Sequence, residues 1–99
     1  MFVRQGSFEV VPGKLDALRE IYNHECVPIV RAAPGNFDAY LLEPAEGEGP
    51  IIAVTTWQSE EHARVYEASG TAKEVVAKVE SFFAGPPTLR FAKPAETTQ

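Results

Sequence analysis

Two histidines, His24 and His62, are the only side chains in this sequence whose ordinary pKa, about 6.5, suits taking up a proton at neutral pH. Trp57, Tyr66, Tyr22 and Phe82 could supply flat aromatic walls, and the tyrosine hydroxyls could orient a polar atom of a ligand held between them. His24 and His62 are therefore the candidate catalytic bases, and Trp57, Tyr66, Tyr22 and Phe82 the candidate substrate-binding residues. Each also has a plainer role. One large ring at a strand end commonly fills a small core, His62 stands at an acidic helix start that faces water, and His24 flanks an apolar stripe at the surface. Cys26 reads as buried filler. Arg4, if it shares an inward face with Gly6, would either bind an anionic group or pair with a glutamate. No Cys or His cluster at metal-ligand spacing, glycine-rich phosphate loop or Gly-x-Ser-x-Gly elbow occurs, so no metal or cofactor is expected.

The elements that must position these residues follow from periodicity. Residues 2–11 alternate, with Phe2, Gly6, Phe8 and Val10 on one face and Gln5, Ser7 and Glu9 on the other, as in a strand. After Pro12-Gly13, the spacing of Leu15, Leu18, Tyr22, Cys26 and Ile29 predicts an amphipathic helix. Pro28 lies inside that stripe and should kink or fray it near residues 24–28, because it has no N–H for the carbonyl of His24. A second strand is expected over 36–43, an acidic loop over 44–50, and a third strand over 51–57 that is apolar on both sides. Ser59 is a good N-cap for a short helix from residue 60 to about 69, with Glu60 and Glu61 at the positive end of its dipole. Thr71 and Glu74 form the pattern of a capping box for a further helix with Val75, Val76, Val79, Phe82 and Phe83 on one face. Gly85-Pro86-Pro87 stops it, and a last strand is expected over 88–93.

Ninety-nine residues, 44% of them hydrophobic, predict one domain, residues 1–93, followed by a polar tail, 94–99, expected to be loose. The formal charge of −5 repels phosphate backbones and anionic lipid heads, which argues against nucleic acid and membrane partners. With no apolar leader or long apolar run, and a single cysteine that can form no internal disulfide, a cytoplasmic location is the expectation.

The order β-α-β-β-α-β, with the second helix broken in two, predicts an α+β fold, the ferredoxin-like split βαβ plait. Its helices cover one face of an antiparallel sheet. The other face is best covered by a second copy of the chain, a homodimer whose interface would bury roughly 800 Å² per partner.

Four segments carry a family resemblance: Val11-Pro12-Gly13-Lys14, Ala33-Pro34-Gly35-Asn36-Phe37, Thr56-Trp57-Gln58-Ser59-Glu60-Glu61 and Gly85-Pro86-Pro87. In these the chain resembles the antibiotic biosynthesis monooxygenase domains of the dimeric α+β barrel superfamily. The resemblance implies a cavity between sheet and helices, and a cofactor-independent oxygenation of a small phenolic or quinol-type aromatic by O₂. Haem-degrading members carry Asn, Trp and His at positions that correspond to Gly6, Tyr66 and Val76, so no haem is expected here. Polyketide anthrone oxygenases share Trp57 but have Asn and Tyr where this chain has Ala53 and Ala63. Quinol monooxygenase-like members often place histidines at the positions of His62 and Tyr66, the nearest of the three patterns. A non-catalytic dimeric module binding a small ligand, or associated with stress, is the alternative.

Overall fold

The computed structural model describes residues 1–95, so the last four positions of the expected tail lie outside the described residues. Strands β1 (Phe2–Phe8), β2 (Asn36–Leu42), β3 (Ile51–Trp57) and β4 (Thr88–Ala92) form one antiparallel sheet in the order β2-β3-β1-β4. Helices α1 (Leu15–Ile21), α2 (Val27–Arg31), α3 (Glu60–Ala68) and α4 (Thr71–Val79) cover one face, completing a ferredoxin-like α+β plait.

Two Pro-Gly turns set the entry points. Gly13 and Gly35 take φ of 83° and 79°, and Lys14 N and Asn36 N donate to Val11 O and Ala33 O at 3.1 and 3.2 Å. Proline first and a positive-φ glycine second is the arrangement of a type II turn. Gly35 O also accepts from Gln58 N at 2.7 Å, tying the turn to the end of β3.

The disruption expected near residues 24–28 takes the form of a π-helical turn, Tyr22–Cys26, in which Val27 N donates to Tyr22 O, and Pro28 falls in the first turn of α2. Widening the turn accommodates the missing N–H and the proline ring, which is tolerated in the first turn of a helix. The extra residue also shifts the stripe, so Val30 is fully buried and Ile29 only half-buried.

Ser59 caps α3 as expected, its Oγ accepting from His62 N at 3.3 Å. The capping box at α4 does not form. Thr71 is already the first helical residue, and Gly70, at φ 87°, takes the N-cap because only Ser69 and Gly70 separate the two helices.

Alternation sorts the sheet into two faces. Phe8, Ile51 and Trp57 join Leu18, Tyr22, Cys26, Val30, Ala63, Tyr66, Val75 and Val79 in the core beneath the helices. Val3, Gln5, Ser7, Ile52, Val54 and Thr56 take the alternate positions on the side away from the helices, with Tyr40 and Leu42 of β2 in register beside Val54 and Ile52. Tyr40 and Leu42 are exposed there. No described helix is long and apolar enough to cross a membrane.

Candidate functional site

A cavity of about 180 Å³ lies between the sheet and the helices. Arg4, Gly6, Ala53 and Thr55 form its floor, while Tyr22 of the π turn, Tyr66 of α3 and the valines of α4 form the roof. Exposed Pro87, Thr88 and Leu89 frame it at the sheet edge. A methyl group added at Gly6 would meet no atom within 4 Å, which is why the floor is open at that point.

The lining is mostly apolar, with a few polar groups converging on it, as expected of a small-molecule site. Among the described residues, the hydroxyls of Tyr22 and Tyr66 make no hydrogen bond to the protein. Arg4 uses only Nε, which donates to Glu67 Oε1, and its guanidinium carbon lies 5.6 Å from the centre of the Tyr66 ring. Trp57 Nε1 donates to Thr55 Oγ1 at 2.9 Å, fixing a hydroxyl in the cavity floor.

Burial governs the acid–base state of this lining. Desolvation pushes the Tyr66 phenol up to about 12, with Arg4 working the other way, and raises Tyr22 in the same direction. Both are neutral hydrogen-bond donors at physiological pH. Burial likewise lifts the Cys26 thiol to about 11, and its Sγ contacts Val75 O at 3.7 Å, so it is packing material rather than a nucleophile. In a spectrophotometric titration, two of the three tyrosines should stay protonated past pH 10 and ionise with unfolding. The folded state holds protons there that the unfolded state has shed. Stability should therefore be complete below about pH 10 and fall, by about 1.4 kcal/mol per pH unit for each such phenol, as pH rises towards 12.

The structure brings together some of the residues singled out from sequence and separates others. Tyr22 and Tyr66 face the cavity together. Trp57 does not line it. Its ring is fully buried one layer behind Tyr66, 4.8 Å between centroids, because β3 ends beneath α3 rather than beneath the hollow. Phe82 is also absent from the wall. The 3₁₀ turn Glu80–Phe82 advances side chains faster than an α-helix, so Phe83 takes that place and packs at a tilt against Phe8, 4.2 Å between centroids.

Neither imidazole reaches the cavity. The side chain of His24 is 71% exposed, 3.4 Å from Glu20 one helical turn back. His62 Nδ1 lies 2.7 Å from Ser59 Oγ, its ring packs on Gly35 just before β2, and it does not line the hollow. Arg4 was the residue that sequence could have ranked higher, since its inward register beside Gly6 was legible in the alternation of β1.

The positions that separate haem degraders from this chain, Gly6, Tyr66 and Val76, all line the cavity. Their residues do not fit haem. The lining holds no His, Cys or Met, burial keeps both phenols protonated against tyrosinate ligation, and the hollow is too small for a porphyrin.

A ferredoxin-like plait with an aromatic, ligand-sized hollow beneath its helices is a small-molecule-binding architecture. The family model for antibiotic biosynthesis monooxygenases matches residues 1–78, and the chain belongs to that family. No curated protein matches it. Among solved structures, a monooxygenase from the gene ActVA-Orf6 of Streptomyces coelicolor, in complex with nanaomycin D, is 24% identical with a TM-score of 0.80, over 99% of this chain and 90% of that one. Rv0793 from Mycobacterium tuberculosis is 19% identical with a TM-score of 0.76, over 99% and 98%. A mutant of MhuD with two manganese protoporphyrin IX molecules bound per active site is 25% identical with a TM-score of 0.77, over 100% and 99%.

Proposed function

We propose that this protein is a cofactor-independent monooxygenase of a small phenolic or quinol-type aromatic, working as a homodimer with one such cavity in each subunit. The observation that carries the reading is the 180 Å³ apolar hollow with unpaired donors from Tyr22, Tyr66 and Arg4. A cavity of about 150 Å³ holds benzene, so this one matches a single substituted ring. Membership of the monooxygenase family supplies the reaction class.

In such a reaction the substrate itself reduces O₂. A phenol or hydroquinone loses its hydroxyl proton and becomes electron-rich enough to pass electrons to oxygen. One oxygen atom enters the ring; the other leaves as water with two substrate hydrogens, and the four electrons come from conversion of the ring to a quinone. The cavity's tasks are to bind the ring, orient its oxygen through the neutral Tyr22 and Tyr66 hydroxyls, and keep water out. Deprotonation by His24 or His62 would need an imidazole at the substrate, and both lie outside the hollow. The reading therefore rests on stabilising the anion rather than on a histidine base. The exposed Tyr40 and Leu42 on the helix-free face support pairing of two sheets.

Oxygen uptake with a panel of hydroquinones, and incorporation of one labelled oxygen atom from O₂, test the reaction. His24→Ala and His62→Ala should keep turnover within about threefold of the parent, whereas Gly6→Leu, which fills the floor, should abolish it in a folded protein. A folded histidine variant that loses turnover would restore the imidazole as base.

The location of both histidines also favours a second reading, a dimeric binding module without turnover. Ligand-dependent stabilisation that Gly6→Leu removes, with no oxygen consumed by any hydroquinone, would establish it.

A further inference from the structure

Arg4 is the feature of the cavity that packing does not account for. Its side chain is only 12% exposed, it comes from the centre of the sheet, and a cation there is expensive unless its donors are met. Glu67 meets Nε alone. Among the described residues, the two terminal nitrogens have no protein acceptor. Arg4 lines both the 180 Å³ cavity and an outer groove that it shares with Glu67, Lys73 and Glu80. Glu67 itself is one-third exposed, so water screens its charge better than that of the guanidinium it holds.

We propose that Arg4 is an anion receptor, and that the ligand class of this cavity is a single-ring aromatic anion, a phenolate or an aryl carboxylate, whose oxygens accept from the terminal nitrogens of Arg4 while its ring lies against Tyr66. The proposal deepens the monooxygenase reading and rests on it for its biological meaning. Its chemistry is separable. A guanidinium presents two parallel N–H groups to one anionic oxygen or a carboxylate, and Glu67 on Nε holds that fork at a fixed angle. The neutral Tyr22 and Tyr66 hydroxyls add donors but no charge, so selection for the anion falls to Arg4. The arrangement also answers how a phenol could be ionised in a cavity that no imidazole enters: the phenolate is bound in preference to the phenol.

The test uses 4-nitrophenol, whose ionisation is visible as colour, titrated without oxygen in the presence of excess full-length protein. An apolar hollow with no available cation would raise the probe's pKa by desolvation, whereas a receptor for the anion lowers it, so the sign of the shift decides. We expect a drop of about one unit or more on the parent protein, reversed to a rise on Arg4→Gln. Benzoate should outcompete neutral benzamide roughly 10- to 100-fold on the parent protein and lose that advantage on Arg4→Gln. Glu67→Gln keeps Arg4 and removes the competing carboxylate, so it should deepen the drop, and it serves if Arg4→Gln does not fold. An unchanged or raised pKa on the parent, a drop that survives Arg4→Gln or ignores Glu67→Gln, or failure of both probes to bind a folded protein would each overturn the proposal. A protein that lowers the probe's pKa yet oxidises no phenol removes the monooxygenase reading and leaves the anion site standing. Turnover without the shift does the reverse.

Discussion

Trp57→Ala should be the most damaging single substitution, destabilising the domain by roughly 3–5 kcal/mol. The ring is fully buried, packs on Tyr66 at 4.8 Å between centroids and donates to Thr55 at 2.9 Å. Truncation forfeits its transfer free energy, opens a void under α3 and leaves Thr55 without that partner. Against the 5–15 kcal/mol that holds a typical domain, a loss of this size lowers the melting temperature by roughly 12–40 °C for a chain of this length. Calorimetry or far-ultraviolet circular dichroism reads it directly. Trp57→Phe isolates the two contributions: it keeps most of the apolar volume and loses the indole N–H, at about 1–2 kcal/mol. If Trp57 were instead a substrate wall, both variants would lose ligand affinity with little loss of stability, and that outcome would refute its placement behind Tyr66.

Gly35→Ala should come next, at roughly 2–4 kcal/mol, by a different route. Gly35 sits at φ 79°, where an L side chain is strained, and an added methyl would fall 2.3 Å from two ring carbons of His62 and 2.8 Å from its Cβ. Rotating the imidazole relieves the first contacts but not the last. His62→Ala in the same chain should therefore recover only part of the loss, and the strained backbone the rest of it would still carry. A thermal-denaturation double-mutant cycle measures this coupling. Independent, additive effects would mean that His62 does not hold the turn. The result bears on function, since it separates an imidazole that braces the start of β2 from one that handles protons.

Much of the fold was legible because its signals are local. The Pro-Gly turns at Gly13 and Gly35, the Ser59 cap and the alternation of β1 act within a few residues, and the succession of elements pointed to the plait. The site was less legible. Tyr22 and Tyr66 could be proposed from type and spacing, but Trp57 and Phe82 share that chemistry and lie outside the wall. For Phe82 the difference comes from the 3₁₀ turn, which changes the angle between successive side chains by an amount that α-helical periodicity does not contain, and for Trp57 from β3 ending beneath α3. His62 had two readings by spacing, a base or a solvated histidine, and only the approach of the Gly35 turn, 27 positions earlier in the chain, places its ring against that turn.

From the residues alone, this protein was legible as a small acidic α+β plait, because capping, turn chemistry and hydrophobic period are short-range forces written in neighbouring positions, while its family was carried by the resemblance of four short segments. Which groups meet in the hollow was decided only in three dimensions. Arg4 and Glu67 stand 63 positions apart, and it is the packing of α3 over β1 that makes them partners and turns a lone inward charge into the polar centre of an apolar cavity.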